Sequence, residues 1–258
     1  MTHTPAHPAV ATVLADCATT GMPVLLGHPP TDPDPNGTWF PFVTLVEEQR
    51  LAQRVREMTP DYDGLADVAT AFLASRFASP LALLAGAPVH QHGVAVAYDI
   101  DDLWLRRSPR GWFNGIALTD ADLDSTDTAA PRAVAHYRPV VERLRRVGKL
   151  GTRAMWGQLA DALATTAGHA HDASGDAEAA IEGSALLLQS AEPPLWGTPV
   201  FERIEAGGAV GLAWRRSSCC LAYRCERYEL CTGCPLTPTE EWRAKSIASV
   251  TQRAGSHA

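Results

Sequence analysis

A cluster of cysteines near the end of this 258-residue chain is the feature most able to do chemistry. Four of them follow the spacing Cys219-Cys220-x10-Cys231-x2-Cys234. Thiolates are soft ligands that select zinc, copper(I) and iron–sulfur clusters. A Cys-x2-Cys turn folds back on itself, so its two sulfurs can bind one metal atom. The spacing therefore predicts one shared inorganic site in a reduced compartment, since a secreted disulfide scaffold would be shorter and would spread its cysteines along the chain.

The adjacent pair distinguishes between the possible sites. Neighbouring side chains of an extended strand point to opposite faces. Both sulfurs reach one cluster only if the backbone at 218–221 bends, or if the pair spans two irons. A single tetrahedral zinc typically takes Cys-x2-4-Cys pairs, so a two-iron cluster fits better, and structural zinc remains the alternative. The plant ferredoxin spacing begins at Cys220 and Cys225 but fails at the next gap, which leaves Cys225 without a role.

The residues around the cysteines carry a family resemblance. The segment reads Arg216-Ser-Ser-Cys219-Cys220-Leu221-Ala-Tyr223-Arg224 and then Cys231-Thr-Gly-Cys234-Pro235-Leu236. It resembles the C-terminal signature of the ferric-siderophore reductases of the FhuF type, in which leucine follows the double cysteine and proline follows the last cysteine. The match covers about twenty residues, and Cys225 is the departure from it, which leaves open either a ligand swap or a redox-sensitive spare thiol.

The resemblance implies an oxidoreductase whose cofactor is a [2Fe–2S] cluster held by Cys219, Cys220, Cys231 and Cys234. It implies transfer of one electron to siderophore-bound Fe(III), with release of Fe(II) in the cytoplasm and a role in iron transport. Siderophores hold ferric iron through hard oxygen ligands, which bind ferrous iron less tightly. The implied partners are a ferric siderophore, with the hydroxamate type as an example, and an external electron donor such as a ferredoxin or an NAD(P)H-dependent flavoprotein.

Four arginines surround the cysteines in sequence and are candidate contacts to substrate or donor. They are Arg215, Arg216, Arg224 and Arg227. Residues 201–258 carry eight basic and six acidic side chains, whereas the rest of the chain is strongly acidic. Nearby cations stabilise an anionic thiolate-ligated cluster. The alternative is that these are ordinary surface arginines of an arginine-rich protein.

Composition and charge exclude several other classes of function. Hydrophobic residues make up 46% of the chain and the formal net charge is −7, without a basic block, so we expect a globular protein and no nucleic-acid partner. The longest strongly apolar stretch, near Leu81–Val89, is too short for a transmembrane segment. The first residues lack the pattern of a secretory signal. We therefore expect a cytoplasmic protein, at most loosely associated with a membrane.

The hydrophobic periodicity predicts an α+β fold, mainly helical, with a small antiparallel β-sheet and a C-terminal iron–sulfur module. The helical body covers 1–199 and contains an antiparallel meander of three strands near 94–118, while the module covers 200–258. Helices are expected at about 65–77, 80–87, 139–148, 152–166, 176–190 and 238–253. A hairpin is expected around Gly207-Gly208, and Pro193–Pro199 is the expected hinge.

Two other functions remain open at this point. One is a non-catalytic iron–sulfur redox sensor or electron-transfer partner protein, which Cys225 would favour as a spare thiol. The other is a structural zinc module in a binding protein. The chain has no Gly-x-Gly-x-x-Gly or Walker loop, so nucleotide or flavin is expected on a partner.

Overall fold

Helices form most of the molecule, and the strands are short. The computed structural model of the chain describes residues 8–17, 22–32, 34–191, 195–206 and 208–256. The helices are α1 (Pro8–Cys17), α2 (Phe42–Leu45), α3 (Glu48–Met58), α4 (Ala66–His92), α5 (Ala129–Val147), α6 (Thr152–Ser174), α7 (Ala177–Ser190) and α8 (Thr239–Ser256). The strands are β1 (Val24–Leu26), β2 (Thr38–Pro41), β3 (Ala95–Ala97), β4 (Leu103–Arg107), β5 (Phe113–Leu118), β6 (Asp122–Asp124), β7 (Val200–Ala206) and β8 (Ala209–Arg215). The mainly helical α+β prediction is confirmed.

Helix α4 is the centre of the body, and α5 and α6 pack against it. It is apolar on all sides, and its middle residues Leu81 and Leu84 are almost completely buried. The hydroxyl of the fully buried Tyr137 on α5 lies 3.1 Å from the carbonyl oxygen of Ala74 and 3.2 Å from that of Met155. One phenol therefore links α4, α5 and α6.

Two predicted helix boundaries at prolines are wrong. The segments expected at 65–77 and 80–87 form the single helix α4, which passes through Pro80 and Pro88. Pro139, expected at the first position of a helix, lies inside α5. A proline in a helix interior costs about 3 kcal/mol. Burial of these helices on several sides outweighs that cost, which no local pattern reveals.

The sheet of the body differs from the predicted meander. Strands β4 and β5 pair antiparallel, as expected, with Leu105 opposite Ile116. Strand β3 instead pairs with β6, because the turn at Ile100–Asp102 separates it from β4. The four-stranded sheet has the order β1-β5-β4-β2, and β1 runs parallel to β5. The sheet is therefore mixed rather than purely antiparallel.

The C-terminal segment packs on α6 through the hairpin of β7 and β8. The hairpin confirms the prediction for this segment, and Gly208 has a positive φ of 79° in the part of the turn that is described. Its Trp214 lies against Gly168 of α6, where a Cβ atom would be 2.6 Å from the indole ring. Pro193 and Pro194 of the expected hinge lie outside the described residues. The terminal helix α8 covers the other face of the hairpin and is close to its predicted range.

Candidate functional site

The adjacent cysteines lie in the loop that follows β8, just after a bend at Ser217 and Ser218. Leu221, the next residue, has φ of 62°, in the left-handed region that a branched side chain rarely adopts. This conformation turns the chain back, so that the amide of Leu221 donates a hydrogen bond to Cys219 Sγ over 3.3 Å. A bent backbone, one of the two arrangements expected for the adjacent pair, is thus present, together with an N–H group directed at a sulfur atom.

The Cys-x2-Cys turn lies next to this bend. The amide of Cys234 donates to the carbonyl oxygen of Cys231 over 2.9 Å, which closes the turn. The amide of Arg216 donates to the carbonyl oxygen of Gly233 over 2.8 Å and joins the turn to the segment before Cys219. A Cβ atom at Gly233 would lie 3.1 Å from the carbonyl oxygen of Trp214, so this close approach favours glycine.

A buried carboxylate on α6 holds the segment that precedes the adjacent cysteines. Asp161 is only 4% exposed, which is uncommon for a charged side chain. It accepts hydrogen bonds from the amide and hydroxyl of Ser217 at 2.6 and 2.8 Å, and from the amide and hydroxyl of Ser218 at 3.0 and 2.5 Å. Four donors on one carboxylate fix the backbone immediately before Cys219.

Arg216 completes this contact from the module side. Its Nε lies 3.4 Å from Asp161, and its Nη2 donates to Gln158 Oε1 over 2.5 Å. Burial opposes the charge of Arg216, but Asp161 and the thiols of Cys220 and Cys231 outweigh it and raise the pKa of the guanidinium group. Arg216 is therefore a permanent cation beside two of the four predicted ligands.

The four predicted ligands lie in one neighbourhood. Cys219 interacts with Cys220 and Cys234, and Cys231 interacts with the same two residues. Burial, ahead of the neighbouring thiols, raises the pKa of Cys219 to about 11, and burial also raises the pKa of Cys231. None of the four forms a disulfide. Within the described part of the chain, no three His, Cys, Asp or Glu side chains converge closely enough to hold a metal ion as they stand.

The donor set nevertheless fits a thiolate-ligated cluster in chemistry. Four sulfur atoms, one amide donor to sulfur and one adjacent cation are the groups that such a cluster uses. Because no three of these thiols come close enough to hold a metal ion as they stand, cluster binding requires their side chains to move.

The four candidate arginines all have partners within the chain. Arg215 donates to the carbonyl oxygens of Pro235 and Thr237 and so ties β8 to the start of α8. Arg224 pairs with Asp67, and Arg227 donates to the carbonyl oxygen of Asp61. Arg216 alone interacts with two predicted ligands, whereas Arg224 and Arg227 lie closer to Cys225. Their role as substrate or donor contacts stays a prediction.

Cys225 lies inside the body rather than at the cysteine site. It is 2% exposed and belongs to the same apolar core as α4. Burial raises the pKa of its thiol, so its thiolate fraction is low and its reactivity is small. Tyr228, three residues further along the chain, also contacts the body, because its ring stacks on that of Tyr62. Cys225 is thus a packing residue, and so is Cys17, which is completely buried in the same core.

An open groove of about 400 Å³ runs beside Cys219. We call it the Trp196 groove. Trp196 is 52% exposed on its wall, and the guanidinium carbon of Arg153 lies 5.1 Å from the centre of the indole ring. Gly197 has φ of 87°, and a Cβ atom there would lie 2.5 Å from Ser217. The groove therefore offers an aromatic surface and a cation next to one predicted ligand.

Sequence reasoning missed Asp161, Gln158 and the Trp196 groove. The local pattern gave no signal, because Asp161 lies two positions from Leu159 and from Leu163 and so falls on the opposite side of the predicted helix from its apolar stripe. Its partners are more than fifty residues away in sequence, so nothing in the local pattern names them.

Comparisons with known proteins do not assign the chain to a family. No protein-family model matches the chain, and no curated protein is significantly similar to it. Among the described residues, α4 is long and apolar enough to cross a membrane by length and composition, but most of it is buried inside the protein, as in the core helix of a soluble fold.

Proposed function

We propose that this protein is a cytoplasmic ferric-siderophore reductase that binds a [2Fe–2S] cluster through Cys219, Cys220, Cys231 and Cys234. The observation that carries the proposal is the joined pair of cysteine segments. The bend at Cys219-Cys220 and the turn at Cys231–Cys234 are hydrogen-bonded to each other through Arg216 and Gly233. Such a cluster, when bound, supplies one electron at a time, which matches the reduction of Fe(III) to Fe(II).

The residues of the chain have separable tasks in this proposal. Asp161 fixes the backbone before the adjacent cysteines, so that the loop carrying these two sulfurs is anchored to α6. The amide of Leu221 and the cation of Arg216 stabilise negative charge on sulfur. Cys231 is exposed, whereas Cys234 is 3% exposed. The edge of the site at Cys231 therefore faces solvent, where a partner protein can approach it.

The Trp196 groove is the proposed docking surface for the siderophore. It adjoins Cys219 and combines the exposed indole of Trp196 with the charge of Arg153. A ferric siderophore bound there would place its iron near the cysteines. The reaction needs no acid–base residue, because electron transfer depends on proximity and on a matched reduction potential. The electron donor, a ferredoxin or an NAD(P)H-dependent flavoprotein, would use the edge at Cys231.

Buried Cys225 weakens support for the sensor alternative. Sensor cysteines are exposed thiols of low pKa. Cys225 is buried and burial raises its pKa, so it does not act as the spare reactive thiol of a sensor.

The proposal is tested by exchanging one ligand at a time under anaerobic conditions. Cys231→Ser is expected to abolish the visible cluster spectrum and the release of Fe(II) from a ferrioxamine-type complex by the reduced protein. Cys17→Ala is the matched control, because it removes a thiol that the site does not use, and it should keep both. A Cys231→Ser variant with full activity would show that electrons take another route. Reduced wild-type protein that is inert toward several siderophores would favour the sensor.

A further inference from the structure

A second pocket lies on the body, between α3, α4 and the turn that joins β4 to β5. Its volume is about 210 Å³. Its floor is apolar and its rim is charged. The floor includes Leu51, Leu73, Phe77 and Phe113, and the rim includes Arg50, Arg54, Arg107 and Glu57. Arg50 pairs with Glu47 at 3.2 Å and Arg54 pairs with Glu57 at 2.8 Å, so Arg107 is the rim cation that forms no ion pair within the described chain.

A buried arginine lies directly behind the pocket. Arg76 is 8% exposed, and its Nη1 donates to the carbonyl oxygen of Gly111 over 3.0 Å. Its guanidinium carbon lies 3.9 Å from the centre of the Trp112 ring. Among the described residues its Nε has no hydrogen-bond partner and no carboxylate forms an ion pair with it, although Asp61 and Tyr62 favour its charge from nearby. A buried cation without a counter-ion is costly unless something else supplies the negative charge.

Gly111 brings this buried cation close to the rim. Its φ is 82°, and a Cβ atom there would lie 1.9 Å from Arg54 Nη2 and 3.6 Å from Arg76 Nη1. The absent side chain therefore leaves room for two guanidinium groups beside one residue. Any larger residue would push Arg54 away from the pocket.

The remaining charges do not neutralise the cluster. Glu57 is occupied by Arg54 at 2.8 Å and by Gln53 at 2.8 Å. Arg107 forms no ion pair within the described chain and lies over the ring of Phe40 at 4.9 Å. Burial, and then the charge of Arg54, lowers the pKa of Arg107. Burial also lowers the pKa of Arg76, where Tyr62 and Asp61 oppose the repulsion from Arg54. Arginine does not lose its proton at neutral pH, so the repulsion persists until an anion binds.

We propose that this pocket binds a small phosphate-bearing ligand, with Arg54 and Arg107 contacting its oxygens and Arg76 supplying charge from behind Gly111. Guanidinium groups match phosphate oxygens in pairs, and a tetrahedral anion can accept from two arginines at once. The volume holds a phosphate with a few further atoms, and the apolar floor accepts a short organic part. This site is independent of the proposed function.

The test measures binding of inorganic phosphate and pyrophosphate to the full chain at low ionic strength, by calorimetry and by the fluorescence of the neighbouring Trp112. We expect saturable binding, tighter for pyrophosphate. Arg107→Gln should weaken it at least about tenfold, the usual effect of removing one charge-assisted hydrogen bond. Arg107→Lys should be intermediate, since it keeps the charge and loses the paired geometry.

Arg56→Gln is the matched control. It removes the same charge from an exposed position on α3, outside the pocket, and should bind pyrophosphate as the wild type does. Absence of binding, or equal affinity of Arg107→Gln and Arg56→Gln, would overturn the proposal. Binding of malonate in preference to pyrophosphate would overturn the assignment to phosphate.

Discussion

In the helical body, α4, α5 and α6 meet through apolar side chains, whereas the cysteine segment meets α6 through polar ones. Leu84 and Leu144 are each at most 1% exposed in the body. The C-terminal segment has only a small core of its own, formed by Ile204, Ala213, Trp242 and Val250. Its cysteines are positioned by directional hydrogen bonds to Asp161 instead. The position of the site should therefore depend on few residues, and the fold of the body on many.

Removing the buried carboxylate should have the largest effect. Asp161→Ala leaves Arg216, Ser217 and Ser218 without their shared acceptor. Breaking a buried ion pair from one side costs about 3–5 kcal/mol. We expect a loss of that size in the free energy of unfolding by urea, together with loss of bound iron after anaerobic purification.

Asp101→Ala is the control, since it removes an exposed carboxylate and should change stability by less than about 0.5 kcal/mol. If Asp161→Ala unfolds like this control and keeps its iron, the polar contact does not position the site.

Acid should weaken the body through His136. Burial, followed by the charge of Arg132, lowers the pKa of His136 to about 4, and its ring packs 4.9 Å from that of Tyr98. The unfolded chain binds the proton near pH 6.5, so the folded state binds fewer protons between these values. Stability should be full above about pH 6.5 and fall by on the order of 2 kcal/mol as the pH drops to about 4.

The measurement is urea unfolding of wild type and His136→Gln from pH 7 to pH 4. The variant should lose less stability over this range than the wild type. Identical pH profiles would show that His136 is not the group that responds.

A methyl group added at Gly157 of α6 should push the helix and the segment before the cysteines apart. A Cβ atom at Gly157 would lie 2.6 Å from Ser218 Cβ. Overpacking costs about 1–3 kcal/mol, and alanine regains about 0.5–1 kcal/mol of helix propensity. Gly157→Ala should therefore lower stability by about 1–2 kcal/mol and reduce iron content. Gly151→Ala, just before α6, is the control for added bulk, because nothing lies within 4 Å of a Cβ atom there. A stabilised Gly157→Ala variant would contradict the close packing.

The exposed ion pair of Arg224 and Asp67 should contribute least. Their side chains are 38% and 24% exposed, and pairs of this kind contribute about 0–1 kcal/mol. Arg224→Gln should change the free energy of unfolding by no more than this and should retain iron. A loss above about 2 kcal/mol would mean that the C-terminal segment depends on the body more broadly than through α6.

The helices and the terminal hairpin could be predicted from the sequence, but the contacts between distant elements could not. Helical spacing predicted the helices around Leu159 and Leu187, and the Gly-Gly pair predicted the terminal hairpin. The partner of β3 was not predictable, because a strand of three residues has a weakly specified register. Continuation of α4 through Pro80 depends on burial by other helices, which a local pattern does not contain.

The same limit applies to the candidate site. Cysteine spacing predicted the four candidate thiols, and the adjacent pair predicted either a bent backbone at 218–221 or a pair that spans two irons. The structure shows a turned backbone there, with Leu221 in the left-handed region. The role of Asp161 was not predictable, since it depends on contact between residues 56 and 57 positions apart. The arginines near the cysteines were expected at a binding surface, and the structure gives each of them a partner in the chain.

The central claim is that four thiols near the end of the chain bind a two-iron cluster. The direct measurement is the count of iron and acid-labile sulfide per chain in anaerobically purified protein, with absorption and EPR spectra before and after reduction. We expect about two irons and two sulfides per chain and an EPR signal that appears on reduction by one electron. Colourless protein, or zinc without sulfide, would contradict the claim.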